Sequence, residues 1–403
     1  MGGDGSDASP YEAVPYPGGA FAQTHPDRLS ALARLFGVTA PLPSRCRVLE
    51  IGCGDGGNLL AMAQSLPLAS FVGIDTSPRA IAAANARAGE LGLGNARFEE
   101  ISLTDYDADA GGFGFVVAHG VYSWVPEAVR DALLALCTRA LCDTGVAYVS
   151  YNTLPGGRLR EILRGLLLRH VGAIEDPQRR LAAARELLVV LRAAWAYDPE
   201  LGTMVGLATR MLEGGDALLF HDTLAPINAR PRFEEFAAHA ARHELRYLAE
   251  ANYWEMQLGW LPRELRPAAL EHGDRLAREG LLDELRMRTF RQTLLCHAAQ
   301  QVGEPAPQRL EALAVASQAT SGAGAQEGAV TFTGSSGASL TTDHRLVIDA
   351  LQRVTQAWPA ALAVASLWPP DAGAEHRAVI CEALLRCYGG AVVELRAEPS
   401  AAG

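Results

Sequence analysis

Apolar positions along the chain follow two periods, and the change from one to the other divides it. Across 47–151, short apolar runs of strand type alternate with stretches of helical spacing. Val48, Leu49 and Ile51 make the first run, and 71–74 make the second. The pattern then predicts an alanine-rich helix over 80–91, strands at 96–100 and 115–118, a helix over 127–141 and a fifth strand at 146–151. Strands that alternate with helices predict a parallel sheet in an α/β fold. From 158 to 230 the strand period disappears, and 158–170 and 178–194 read as helices rich in Leu, Arg and Ala. It returns with an amphipathic helix over 233–245 and strands at 246–250 and 289–297. The core therefore comprises 16–157 and 231–300, interrupted after the fifth strand by a helical insertion, 158–230. That insertion is expected over the carboxyl edge of the sheet, where ligands bind in open α/β folds.

The flanks read differently. Residues 1–15 are small and acidic and are expected to be disordered. A loop from Tyr16 leads into a helix with Leu29, Leu32, Ala33 and Phe36 on one face, expected to lie as a lid across the ligand site. Residues 301–339, rich in Ala, Gly, Ser, Gln and Pro, read as a linker with one short helix near 310–317. In 340–403, helical spacing at Leu346, Ile348, Ala350 and Leu351, further helix over 376–387 and a closing A-V-V-E-L predict a small winged-helix-like domain.

Composition narrows the function classes. The chain has 403 residues, 49% hydrophobic and 20% charged, as in a soluble globular protein. Its formal charge of −11 excludes a general nucleic-acid binder, which needs clustered Lys and Arg; a cationic substrate is compatible with it. The seven scattered cysteines include no C-x-x-C pair, so neither a zinc site nor a disulfide framework is indicated. His170, His221, His239, His243 and His272 show no pairing that would hold a metal, and none is expected. No apolar leader or membrane-length run is visible, so the sequence predicts a cytoplasmic protein without membrane insertion.

The chemistry concentrates where the first strand breaks. Residues 47–62 read R-V-L-E-I-G-C-G-D-G-G-N-L-L-A-M: strand, glycine turn, helix. Such a turn brings bare backbone and a helix N-terminus close to a ligand. Gly52, Gly54 and Gly57 also satisfy G-x-G-x-x-G, the dinucleotide fingerprint. Glu50 before the turn and Asp75 ending the second strand tip the choice away from it. An ionised carboxylate at 75 can accept two hydrogen bonds at once.

Glu50, the glycines and Asp75 together resemble the class I S-adenosylmethionine-dependent methyltransferases. The resemblance implies a Rossmann-like core in which the turn, with Glu50, Gly52, Cys53, Gly54, Gly56 and Asn58, receives the methionine part of the donor. It implies that Asp75 takes the ribose hydroxyls, that Thr76 after it belongs to the cofactor site, and that Ile101 and Ser102 hold the adenine. Many relatives use an acid where Ser102 stands. The end of the fourth strand, A-H-G-V-Y-S-W-V-P at 118–126, would face the transferred methyl group, and S-Y-N-T-L-P-G-G at 150–157 lies on the same edge. His119, Tyr122, Trp124, Tyr151 and Asn152 are therefore the candidate catalytic residues: Tyr122 and Trp124 as an aromatic channel, His119 as proton acceptor and donor-side contact, Tyr151 and Asn152 to orient the acceptor.

H-G-V-Y-S-W-V-P, Y-V-S-Y-N-T-L-P-G, F-E-E-F-A-A-H-A-A-R-H-E-L-R-Y-L-A-E-A and F-R-Q-T-L-L-C-H are similar to a narrower family, the bacterial methyltransferases with a methyltransferase regulatory domain. That similarity covers about 11–300 and implies a protein or peptide substrate, with lysine nitrogen as the leading acceptor, and a C-terminal winged-helix-like domain; it leaves a homodimer open. Gly157 replaces the family's usual aromatic, and Gly114 its usual acid. Two other readings stay open: methylation of an amine or carboxylate on a peptide or small molecule, and a non-catalytic cofactor-binding scaffold.

Overall fold

The computed structural model describes residues 18–271 and 273–400; the stretch 1–15 and His272 lie outside the described residues. Its frame is a seven-stranded sheet in the order β3-β2-β1-β4-β5-β7-β6. The strands are β1 (Arg47–Ile51), β2 (Ser70–Asp75), β3 (Ala96–Glu100), β4 (Phe113–Ala118), β5 (Leu141–Asn152), β6 (Leu245–Glu250) and β7 (Phe290–His297). β1 to β5 pair in parallel, and β7 runs antiparallel to both β5 and β6. Every residue of β4 is buried, which is why its sequence is a continuous apolar run: helices cover both faces.

The helices are α1 (Pro26–Leu35), α2 (Gly57–Ser65), α3 (Pro78–Glu90), α4 (Glu127–Ala140), α5 (Gly157–Val171), α6 (Pro177–Trp195), α7 (Gly202–Glu213), α8 (Phe233–Arg242) and α9 (Arg275–Arg286). Side chains of α1, α2 and α3 join Val48, Phe71, Phe115, Val117 and Tyr148 on one face of the sheet. Those of α4 and α8 join Leu49, Ile51, Val116 and Tyr151 on the other. The insertion has its own core, with Leu163 and Leu167 from α5, Leu181 and Leu188 from α6 and Leu207 from α7. Its register is set at α6 by Asp176, which accepts from the Arg179 N–H at 2.7 Å ahead of Pro177.

Two flanking expectations need correction. Residues 301–339 are not a linker. They form a 3-10 turn (Pro307–Ala312), β8 (Ala314–Ala316), β9 (Thr320–Ala323), β10 (Val330–Thr333) and β11 (Ser339–Thr342), so the helix expected near 310–317 is a turn and a strand. The Gly, Ser and Thr that imitate a linker serve hairpin turns at Gly328 and Gly337, with φ of +80° and +81°, and exposed strand faces. Leu310, Val315 and Phe332 are buried beneath them. β9, β10 and β11 form one antiparallel sheet; β8 joins β12 (Leu362–Ala363) and β13 (Glu394–Arg396) in another. Two further helices, α10 (Arg345–Ala357) and α11 (Ala374–Gly389), complete this unit.

The second correction concerns α1, which is no lid. Leu29, Ser30, Ala31, Leu32, Ala33 and Leu35 are all fully buried, because the C-terminal unit covers the face that an amphipathic surface helix would expose. Asp27 Oδ1 accepts from the Ala397 N–H at 2.6 Å, its Oδ2 meets Arg396 at 3.5 Å, and Glu398 accepts from the Ser44 N–H and hydroxyl at 2.9 Å each.

Candidate functional site

The break after β1 is held open by backbone that glycine alone adopts easily. Gly52 and Gly54 have φ of +71° and +52°. A Cβ on Gly52 would meet Val121 Cγ2 at 2.6 Å, whereas one on Gly54 would meet nothing within 4 Å. The turn is therefore closed on one side by Val121 and open above Gly54. Asn58, in the first turn of α2, donates to Glu50 Oε1 at 2.7 Å. It accepts from the Phe21 N–H at 2.9 Å, so 18–25, rather than α1, covers this corner. Glu50 is buried, and its Oε2 has no hydrogen-bond partner among the described residues. Burial pushes its pKa up to about 8, against the Asn58 hydrogen bond.

Asp75 faces the same turn. Its Oδ2 accepts from the Gly54 N–H and its Oδ1 from the Ser77 N–H, both at 2.9 Å, which leaves each oxygen a further lone pair. The Ile101 N–H bonds the Asp75 carbonyl at 3.0 Å. Thr76, Ile101 and Ser102 line one open groove together with Glu100 and Asp105. Sequence reasoning missed these two acids, although Asp105 lies just three residues beyond Ser102. Cys53 is buried, with Sγ close against Gly73, and burial holds its thiol well above the usual range.

His119 stands at the end of β4. Its Nδ1 lies 3.0 Å from Tyr148 Oη and 3.2 Å from Ser150 Oγ, and its ring meets those of Phe21 and Phe290 at centroid distances of 4.1 and 6.4 Å. Burial lowers its pKa to about 4, so the imidazole is neutral near pH 7. That argues against its expected role as proton acceptor, since a base that weak has little hold on a proton from an ammonium of pKa ~10.4.

Tyr122 and Tyr151 are also corrected. Both rings belong to the opposite face of the sheet, where Tyr151 stacks on Phe236 at 4.0 Å and Tyr122 meets Phe236 edge-on at 5.1 Å. Their hydroxyls bond His239 Nδ1 at 2.7 Å and Thr293 Oγ1 at 3.3 Å, and both side chains are buried. Gly120, with φ +70°, and the 3-10 turn Tyr122–Trp124 carry the chain off the pleat, so side-chain alternation no longer fixes the face. Trp124 is half-buried. Asn152 does reach the open edge: its N–H bonds Ser123 Oγ at 2.8 Å and its amide bonds Asn228 at 3.0 Å.

The expectation was of no histidine pairing that would hold a metal; at the end of α8, His239, His243 and Asp131 do bring three possible ligand atoms within 4.8 Å of one another. His239 and His243, one helical turn apart, place Nε2 atoms 3.2 and 2.8 Å from Asp131 Oδ1 on α4. The spacing H-A-A-R-H was the available signal.

Comparison with known proteins extends this geometry. A family model described as "Methyltransferase domain" matches 48–145, from β1 into β5. A second, "Predicted methyltransferase regulatory domain", matches 215–297 and thus spans the sheet-completing α8, β6, α9 and β7 more than the insertion. Uncharacterized protein RP028 of Rickettsia prowazekii is 30% identical over 240 residues, 59% of this chain and 96% of its own length. The chain belongs to the class I S-adenosylmethionine-dependent methyltransferases with a regulatory domain. Rickettsia prowazekii RP789, also uncharacterized, is 39% identical over 297 residues, 72% of this methyltransferase; the chain spans 53% of RP789. The structure of PKMT2 from Rickettsia typhi in complex with AdoHcy matches in fold with a TM-score of 0.82 at 24% identity, over 96% of this chain and 78% of that one.

S-adenosylmethionine is the methyl donor of this family, and the methyltransferase's residues fit it. The buried Glu50 oxygen without a partner could pair with the positive charge of a donor that carries an ammonium and a sulfonium, and the space above Gly54 would admit close approach to backbone. Asp75 retains acceptor capacity for two hydroxyls, and the groove at Thr76 and Ile101 continues from it.

Burial also couples the stability of the methyltransferase to pH through two histidines. His119 and His25, whose Nδ1 accepts from the Asp27 N–H at 3.2 Å, are both lowered to about 4, chiefly by burial. Their folded pKa values lie below the unfolded ~6.5, so their stabilising contribution is present above that pH and is lost as pH falls through about 4. Glu50 and Asp283, raised to about 8 and about 6, contribute with the opposite sign, so the measurement is a difference: between about pH 7 and pH 4.5 the urea midpoint of His119→Gln should rise relative to wild type, and a constant difference would remove His119 from this account.

Proposed function

We propose that the chain transfers a methyl group from S-adenosylmethionine to a side-chain nitrogen of a protein or peptide, with lysine as the favoured acceptor. The observation that carries the donor half is the glycine turn flanked by Glu50, with its unpaired buried oxygen, and by Asp75. The acceptor half is supported by the likeness to PKMT2, whose abbreviation denotes a protein lysine methyltransferase. The donor supplies an electrophilic methyl carbon: the acceptor nitrogen bonds to it as its bond to sulfur breaks.

The protein's part is to position, desolvate and leave charge in balance. A lysine must arrive neutral, which costs about 4 to 5 kcal/mol at pH 7 from an unperturbed pKa. Phe21 and Phe290 beside His119 make an apolar margin that disfavours the ammonium. Neutral His119 adds no positive charge beside a sulfonium. Thr76, Ile101 and Ser102 would hold the adenine in their groove, with Asp105 offering the acid that position 102 lacks.

The test is incubation with donor labelled in its methyl group and a panel of proteins and peptides, followed by mass spectrometry of the labelled site. Label on lysine nitrogen is the expected result. Donor binding without transfer to any acceptor would overturn the enzyme reading in favour of a binding scaffold.

A further inference from the structure

Beside the candidate site, between the insertion and the carboxyl end of β5, lies a cavity of about 150 Å³. Four guanidinium-bearing residues line it: Arg160 and Arg164, one turn apart on α5, Arg210 on α7, and Arg230 in the return to α8. Asn152, Asn228 and Thr289 are polar neighbours in its wall, and Asp222 is the one acid among the lining residues.

The positive charge is under-compensated. Glu161 meets Arg230 at 3.4 Å but is shared with Arg158 at 3.7 Å. Arg164 donates through Nη2 to the carbonyls of Ala225 and Pro226, yet its buried Nε has no partner among the described residues. Arg160 and Arg210 make no ion pair among the described residues. Arg230 has a side chain 5% exposed. Burial, then the neighbouring Arg164 and Arg160 charges, pull its pKa down against Glu161. Arg160 and Arg210 are exposed at the cavity's rim, with Asp222 near Arg160, so the burial that calls for an anion lies at Arg230 and at the Arg164 Nε.

We propose that this cavity is a binding site for an anionic group, a carboxylate or phosphate carried by the acceptor molecule, held by Arg160, Arg164, Arg210 and Arg230. Guanidinium forks suit both groups through paired hydrogen bonds. The inference rests on the methyltransferase reading of the adjoining site. Asn152 is the register partner of Phe290, whose ring borders His119. An acceptor atom brought past Phe290 toward His119 therefore leaves its neighbouring groups over the arginines. Gly157 belongs to the same design. A Cβ there would lie 2.7 Å from Arg230 Cδ, so the absence of a side chain makes room for Arg230. Acidic groups flanking the methylated atom thus become the specificity element, and a lysine between neutral or basic neighbours a poor acceptor.

The test separates anion binding from catalysis. Calorimetry with inorganic phosphate and with citrate, at constant ionic strength, reads the cavity directly in wild type and in Arg160→Gln and Arg210→Gln, whose native side chains make no backbone bond among the described residues. Wild-type binding weakened about tenfold or more in each variant, with S-adenosylhomocysteine affinity unchanged, is the expected result. In a second arm, methyl transfer is compared for lysine peptides with glutamate, phosphoserine or serine beside the lysine. A lower KM for the acidic peptides, lost in the variants, supports the inference and shows which anion is preferred. Anion binding with no peptide methylated leaves the cavity assigned and overturns the peptide-substrate reading alone. Peptides methylated without acid preference, and no phosphate or citrate binding, overturn the cavity's assignment.

Discussion

Arg291→Met is expected to destabilise the protein by about 3–5 kcal/mol, enough to remove most of the margin of an ordinary domain. The side chain is fully buried in β7. Its Nη1 bonds Glu250 Oε1 at 2.5 Å, its Nε bonds Asp283 Oδ2 at 2.8 Å, its Nη2 reaches Glu279 at 3.2 Å, and the guanidinium lies 3.9 Å from the centre of the Phe233 ring. Even with this partner, burial pushes Asp283 up to about 6. Methionine preserves much of the volume and removes the charge, so three buried carboxylates are left with Arg288 as their remaining close cation. A urea midpoint close to wild type would show that the network contributes little. Adding Glu250→Gln to Arg291→Met should recover part of the loss, because it removes one of the abandoned charges.

Asp75→Ala should lower the affinity for S-adenosylhomocysteine about a hundredfold or more, read by calorimetry. Two effects combine. The variant loses the acceptor proposed for the ribose hydroxyls, and it frees the Gly54 and Ser77 N–H groups that fix the turn against the end of β2. Asp75→Asn keeps an oxygen for one of those N–H groups and should fall between alanine and wild type. Alanine with wild-type affinity would refute the ribose assignment.

The parallel core and the donor turn were legible in the sequence because both are local. Apolar runs mark strands buried on two faces, and Glu50, Gly52, Gly54 and Asp75 sit at fixed offsets from strand ends. The acceptor side was not legible, since it depends on which way the chain leaves a strand. Tyr122 and His119 are three residues apart, yet Gly120 sends them to opposite faces of the sheet. The cationic cavity gathers residues from 160 to 230 in helices where arginine every few positions reads as a solvated face. In 301–339, glycine and serine signalled flexibility, while the sparse Leu310, Val315 and Phe332 that hold the unit together were too few to set a period.

The clasp on α1 has a consequence for how the molecule opens. That helix packs against one face of the sheet and against 394–398 at once, and 18–25, which reaches Asn58 beside the glycine turn, leads directly into it. The two ends of the chain therefore unfold together. Backbone amides in α1 should exchange with deuterium only through global opening, and a fragment ending near 300 would bare Leu29, Leu32 and Leu35 and aggregate rather than survive as a smaller enzyme.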